Sequence, residues 1–261
     1  MPRYSKLVVD LDGTLCCGSE AIPGAVDAMR RLRESCSILF LSNNGNRSPD
    51  RLAERLERMG FEAHADEVVC SLSLIVAVIR SLGQNLRVLT LSSGDLSGAL
   101  EEAGQRIVNR APADVVVAGV DFDITYETLA RALEALQSGA ILVGANEDAT
   151  YPTGLGPRPA AGAFVGAMRG MGFAAAWMCG KPDAWAMRRA FDLRGFAAGA
   201  DCLMVGDRVD ADILGAQTIG IDSALVLTGV STLEDARHLA EPPTYEVESI
   251  ERLSRILDGE L

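Results

Sequence analysis

The chain predicts an α/β fold with a parallel sheet and an inserted second α/β unit. Short apolar runs of strand length alternate with segments of helical period, the pattern of strands joined by helical crossovers. A middle segment, roughly 76–178, carries an α/β pattern of its own. The first pattern then resumes to the end of the chain. One discontinuous domain, residues 1–75 and 179–261, interrupted by a domain over 76–178, accounts for this order most simply. No internal repeat is visible.

The elements follow in order. Leu7-Val8-Val9 is a strand that ends at Asp10. A helix is expected from Pro23, with Val26, Met29 and Leu32 on its inner face. Ser37 to Leu41 is the next strand and ends at Ser42. Ser48 suits the N-cap of the following helix and Pro49 its first position, while Leu52, Leu56 and Met59 repeat at helical spacing before Gly60. In the middle segment, strands are expected over Arg87–Leu91, Asp114–Ala118 and Ala140–Val143. A helix over Tyr126–Gln137 would place Leu129, Leu133 and Leu136 on one face. The Gly/Pro-rich stretch Thr153–Gly162 is expected as a loop. Beyond it come a helix near Asp183–Leu193, a strand at Cys202–Val205, a helix from about Asp210 and a strand at Ala224–Leu227.

Composition bounds the function classes. A formal net charge of -12 lacks the basic footprint that broad nucleic-acid binding needs, and it disfavours anionic membranes. It leaves room for a small anionic substrate, because local cations and amides can reverse the potential inside one pocket. The six cysteines contain no C-x-x-C pair, and only His64 and His238 could add imidazole, which argues against structural zinc. Scattered cysteines read as reduced thiols of a cytoplasmic protein. Met1 to Lys6 runs straight into the first strand without a signal-peptide pattern, and no apolar run approaches the ~20 residues of a membrane helix.

Four polar clusters fall at strand ends, where open α/β sheets bind ligands. Asp10-Leu11-Asp12-Gly13-Thr14 places two carboxylates two residues apart beside a glycine that permits a sharp turn. Ser42-Asn43-Asn44 offers a hydroxyl and two amides that can donate to phosphate oxygens. Lys181 stands in Gly180-Lys181-Pro182, after the run Ala174–Met178. Gly206-Asp207-Arg208-Val209-Asp210-Ala211-Asp212 concentrates acids where a helix begins. Each has an ordinary alternative alone: an Asx turn, turn chemistry, an exposed lysine, helix capping. Capping accounts for Asp210 or Asp212 better than for Asp207. Together the groups meet the needs of phosphoryl transfer. A carboxylate can accept the phosphoryl group, and a second can move a proton. A hydroxyl and a lysine can stabilise equatorial oxygens, and Mg²⁺ suits the carboxylates.

The order DLDGT, SNN, GKP, GDRVDAD resembles the haloacid dehalogenase (HAD) superfamily of phosphatases. Ile22-Pro23-Gly24-Ala25, Thr125-Tyr126-Glu127 and Leu227-Thr228-Gly229-Val230 resemble its NagD-type branch. The resemblance covers nearly the whole chain. It implies a Rossmann-like core with an inserted α/β cap, and hydrolysis of a small phosphate monoester through an aspartyl-phosphate. It further implies Asp10 as nucleophile, Asp12 as general acid/base, and Ser42, Asn43 and Lys181 around the phosphoryl group. Mg²⁺ would be held by Asp10, the Asp12 carbonyl and Asp207, with Asp212 acting through water. Pairing through the cap would give a homodimer. One departure stands out. Pro159-Ala160-Ala161-Gly162 replaces the branch's usual Pro-Gly-Ala-Gly, and the loop carries Arg158, a candidate for substrate specificity.

A phosphomutase or phosphotransferase could use the same intermediate. A non-hydrolytic phospho-accepting signalling domain uses similar groups, but it needs neither the Asp-x-Asp pair nor an inserted domain. A silent metabolite-binding protein fits the complete motif set less well. No G-x-x-x-x-G-K-[ST] loop is present, which argues against a P-loop nucleotidase. Adjacent Cys16 and Cys17 read as small reduced side chains, since neighbours rarely bridge without strain.

Overall fold

The computed structural model describes residues 3–153 and 156–260. The chain opens with β1 (Lys6–Val9), a short antiparallel hairpin of β2 (Cys16–Cys17) and β3 (Glu20–Ala21), and α1 (Ala25–Arg33). Then come β4 (Ser37–Ser42), α2 (Pro49–Arg58), β5 (Val68–Cys70) and α3 (Ser71–Leu82). A second unit contains β6 (Arg87–Leu91), α4 (Leu96–Glu102), β7 (Arg106–Val108), β8 (Val115–Ala118), α5 (Tyr126–Gln137) and β9 (Ile141–Gly144). It ends with β10 (Thr150–Tyr151), β11 (Arg158–Pro159), α6 (Ala161–Gly170) and β12 (Trp177–Met178). The chain then returns through α7 (Ala184–Arg194), β13 (Cys202–Gly206), α8 (Leu214–Ile219), β14 (Asp222–Val226), α9 (Leu233–Arg237), β15 (Tyr245–Val247) and α10 (Ile250–Leu257).

Two parallel sheets result. The first has the order β15-β14-β13-β1-β4-β5 and the second β12-β9-β8-β6-β7. Leu7, Val8 and Val9 are all buried, as are Val115 to Ala118, because central parallel strands are covered on both faces. Each such Val or Leu contributes roughly 1.5–3 kcal/mol of burial. Register decides the site. Val9 pairs with Phe40 on one side and with Val205 on the other, so the carboxyl ends of β1, β4 and β13 lie side by side.

Several sequence expectations shift. The first helix begins at Ala25 rather than Pro23, because Gly24 sits at φ 76, outside helical space. Helix α2 runs as expected, with Pro49 first and the Ser48 side chain accepting the Arg51 N–H. The buried face of α5 is Ala132, Ala135 and Leu136, while Leu129 and Leu133 are only partly buried. The 153–162 stretch is not all loop. Arg158–Pro159 pairs with Thr150–Tyr151 and Ala161 opens α6, while Gly154 and Leu155 lie outside the described residues. Instead of an α-helix from Asp210, a wider π turn spans Val209–Ile213 before α8. Helix α3 was not legible. Leu72, Leu74, Ile75, Val78 and Ile79 form one buried face, but Val76 and Ala77 continue the apolar character outside it, so the sequence shows no clean amphipathic stripe.

Candidate active site

The turn after β1 delivers Asp10, whose N–H donates to the Val205 carbonyl at 2.9 Å. The chain returning from β12 delivers Lys181. Its buried ammonium donates to Asp10 Oδ1 at 2.6 Å, to Asp212 Oδ1 at 2.7 Å and to the Leu41 carbonyl at 2.9 Å. Asn43 fixes the lysine backbone: its Oδ1 accepts the Lys181 N–H at 2.8 Å and its Nδ2 donates to the Lys181 carbonyl at 3.1 Å. Ser42 lies beside these groups and its Oγ accepts the Asn44 N–H at 3.2 Å.

Asp207 and Asp212 are fully buried. Asp212 Oδ2 accepts the Arg208 N–H at 2.9 Å and Asp207 Oδ2 accepts the Val230 N–H at 2.7 Å. Asp207 Oδ1 is buried with no hydrogen-bond partner among the described residues. Gly13, at φ +98, is required here twice over, since a Cβ would collide with the Asp207 carboxylate and the backbone is left-handed. Thr228 Oγ1 pins that turn by donating to the Gly13 carbonyl at 2.6 Å.

The electrostatics are unbalanced. Burial raises the Asp10 pKa well above the usual carboxylate range, opposed by Lys181 and reinforced by Asp212 and Asp207. Burial, then the Asp212 charge, pushes Asp207 up to about 7. Burial works against the Lys181 ammonium, but Asp10 and Asp212 outweigh it and hold its pKa above the usual lysine range. One ammonium thus serves a crowd of carboxylates. Asp10, Asp207 and Asp212 can each offer an oxygen, all within 4.8 Å of one another, and could hold a metal ion. The unpaired Asp207 oxygen and the surplus negative charge fit a hard cation that prefers oxygen ligands.

Asp12 turns the other way. Arg55, from α2, donates to Asp12 Oδ1 at 2.5 Å and to Oδ2 at 3.3 Å. The same guanidinium donates to the Gly18 carbonyl at 2.6 Å and approaches Cys16 Sγ at 3.3 Å, tying the β2–β3 hairpin to α2. Burial, then the Asp12 charge, pushes the Cys16 thiol up to about 12, so it is not a thiolate nucleophile at neutral pH. All six cysteines are free.

A cavity of about 730 Å³ opens from these groups and is roofed by the second unit. Asp10, Asp12, Ser42, Asn43 and Lys181 line its floor, while Phe122, Asn146, Asp148 and Tyr151 line it from above. The structure does not bring Arg158 to it: Arg158 is exposed on β11, whereas Thr150 to Thr153 and Ala160 do line the cavity. Sequence reasoning missed Arg55, Asn146 and Asp148. Asn43 Nδ2 donates to Asp148 Oδ2 at 3.1 Å and Asn146 Nδ2 to the Asn43 carbonyl at 2.6 Å, so the roof locks onto the loop after β4. Asn146 and Asp148 follow β9, and that strand-end position was their available signal.

A parallel α/β core with these groups at its carboxyl edge has the makings of a phosphoryl-transfer enzyme. Family profiles agree: residues 7–106 match a haloacid dehalogenase-like hydrolase profile and residues 178–253 a second HAD-hydrolase-like one. The chain is 33% identical over 251 residues, 96% of each chain, to an acid sugar phosphatase of Staphylococcus aureus. It is similar in structure to a p-nitrophenyl phosphatase from Archaeoglobus fulgidus, with TM-score 0.90 and 31% identity over 98% of this chain and 100% of that one. A glycerol phosphate phosphatase from Mycobacterium tuberculosis, solved in complex with magnesium, gives TM-score 0.88 and 35% identity over 98% of this chain and 78% of that one. The chain belongs to the haloacid dehalogenase-like hydrolases, in their NagD-like branch. Among the described residues, no helix is long and apolar enough to cross a membrane.

Proposed function

We propose that the protein is a Mg²⁺-dependent phosphatase that hydrolyses a small phosphorylated metabolite through a phosphoryl group on Asp10. The observation that carries this reading is the buried Lys181 ammonium bridging Asp10 and Asp212, with Asp207 Oδ1 beside them lacking a hydrogen-bond partner among the described residues. Lys181 orients Asp10 Oδ1, which leaves the other oxygen to attack phosphorus, and offers positive charge to the equatorial oxygens. The Ser42 hydroxyl donates to the same oxygens, and Asn43 serves this phosphate-binding group through the backbone it fixes. Asp12 gives its proton to the departing alkoxide and then takes one from water attacking the aspartyl-phosphate. Asp10, the Asp12 carbonyl and Asp207 would hold Mg²⁺, with Asp212 one shell further out. When bound, the ion offsets repulsion between carboxylate and phosphate dianion.

In this reading residues 1–75 and 179–261 are the catalytic core and 76–178 the cap, with α3 carrying the chain between them. Closure of the cap over the cavity would exclude water. A cytoplasmic setting suits the free thiols, and the cap would pair two copies into a homodimer. Repeated release of phosphate distinguishes a phosphatase from a phosphotransferase, which needs an acceptor. Acid quench during turnover of ³²P-labelled ester should trap protein-bound label that hydroxylamine releases. Stoichiometric label without turnover would indicate a signalling domain instead, and turnover without any trapped label would overturn the Asp10 route.

A further inference from the structure

One face of α2 carries Arg51, Arg55 and Arg58, at helical spacings of four and three, and Arg47 precedes it in the loop. All four line the active-site cavity, whereas the acids of the same helix, Asp50, Glu54 and Glu57, do not. The helix therefore segregates its charges, in a chain whose net charge is -12. Most cationic groups at the cavity wall already have carboxylate partners. Arg55 holds Asp12, Arg208 holds Asp210, and Arg51 Nε lies 3.4 Å from Asp95. Arg47 and Arg58 do not. No acceptor engages the Arg47 side chain among the described residues, and Arg58 reaches only the Glu54 carbonyl of its own helix, at 3.2 Å. Solvated arginines on a polar helix face would have no reason to sort away from their neighbouring acids. Guanidinium groups facing a binding cavity match carboxylates and phosphates in geometry as well as charge.

We propose that this α2 face recognises a second anionic group on the substrate, so that the preferred ester carries a carboxylate or a further phosphate on its leaving group. Phosphoryl recognition on the cavity floor supplies rate to every ester. Contacts to the leaving group supply discrimination, and Arg47 and Arg58, assisted by Arg51, are the uncommitted charges placed to make them. The inference rests on the phosphatase reading above and narrows its substrate class.

The test compares esters of similar size: 3-phosphoglycerate (anionic leaving group), glycerol 3-phosphate (neutral) and phosphoethanolamine (cationic). A second pair, 1,3-propanediol bisphosphate and 3-hydroxypropyl phosphate, identifies whether the second anion is carboxylate or phosphate. The expected kcat/KM order is anionic, then neutral, then cationic, with an anionic-to-neutral ratio of about tenfold or more at low salt, expressed mainly in KM and shrinking as salt rises. In the double variant Arg47→Gln/Arg58→Gln that ratio should collapse toward one. The Arg30→Gln control, outside the cavity, should keep it. A wild-type ratio at or below one, or an unchanged ratio in the double variant, overturns the proposal. Para-nitrophenyl phosphate turnover by the wild type is measured alongside: its absence would defeat the phosphatase reading itself, while its presence with no charge preference would defeat only the anion subsite.

Discussion

Replacing Arg55 by glutamine tests whether the α2 guanidinium positions Asp12 for proton transfer. The side chain is 13% exposed and clamps a carboxylate that is 41% exposed. A charge-assisted hydrogen bond contributes about 1.5–3 kcal/mol. Solvent at Asp12 reduces that, so about 1–2 kcal/mol is the reasonable share, or roughly 5- to 30-fold in kcat/KM. The loss should be largest for alkyl phosphates, whose leaving groups need a proton, and smaller for para-nitrophenyl phosphate. It should almost vanish in an Asp12→Asn background, because two residues that act through one contact are not additive. Arg55→Lys, which keeps the charge but loses the two-pronged guanidinium geometry, should recover part of the rate. Steady-state kinetics over a leaving-group series provide the readout, with thermal melts to verify folding. An equal loss in both backgrounds, or an equal loss across leaving groups, would show that Arg55 merely braces the β2–β3 hairpin through the Gly18 carbonyl.

Asp10→Asn should lower turnover by at least ~1000-fold, about 4 kcal/mol of barrier, and should abolish hydroxylamine-sensitive labelling; retained labelling would place the nucleophile elsewhere. Mg²⁺ should raise the melting temperature of the wild type and restore activity after chelation, while Ca²⁺ supports little turnover and Asp207→Asn weakens the thermal shift. Full activity after exhaustive chelation would exclude the metal. Acid should weaken the second sheet through Asp114, which the hydrogen bond from Arg87, a distance of 2.6 Å to Oδ1, holds at about 2, below the ordinary 3.8. A depressed folded pKa means this contribution is present above about 4 and lost as pH falls toward 2. Urea unfolding should therefore separate wild type from Asp114→Asn at pH 6, with the gap closing near pH 2.5; a gap that persisted in acid would contradict the assignment.

The strand-end chemistry was readable because it is local. Asp10 stands directly after Val9, Ser42 ends β4 and Asp207 follows Gly206, so placing three apolar runs in one parallel sheet places those side chains at one edge. Helix α2 was equally legible, since Ser48 and Pro49 start it by their own backbone chemistry. Other features depended on residues far apart in the chain. Nothing near Arg55 announces that it will reach Asp12, a partner 43 residues away, and nothing near Asn43 announces Asp148 at a separation of 105. Arg158, singled out by its loop, lies exposed outside the cavity, while the less conspicuous Thr150 to Thr153 line it. Apolar periodicity and strand-end position act through nearest neighbours along the chain, and so the sequence by itself determined the α/β class and the placing of Asp10, Ser42 and Asp207 at strand ends. The cavity roof, the arginine face that borders it and the unpaired Asp207 oxygen arise where two sheets and α2 converge, and only the tertiary structure could decide them, because contact between distant segments is a property of packing.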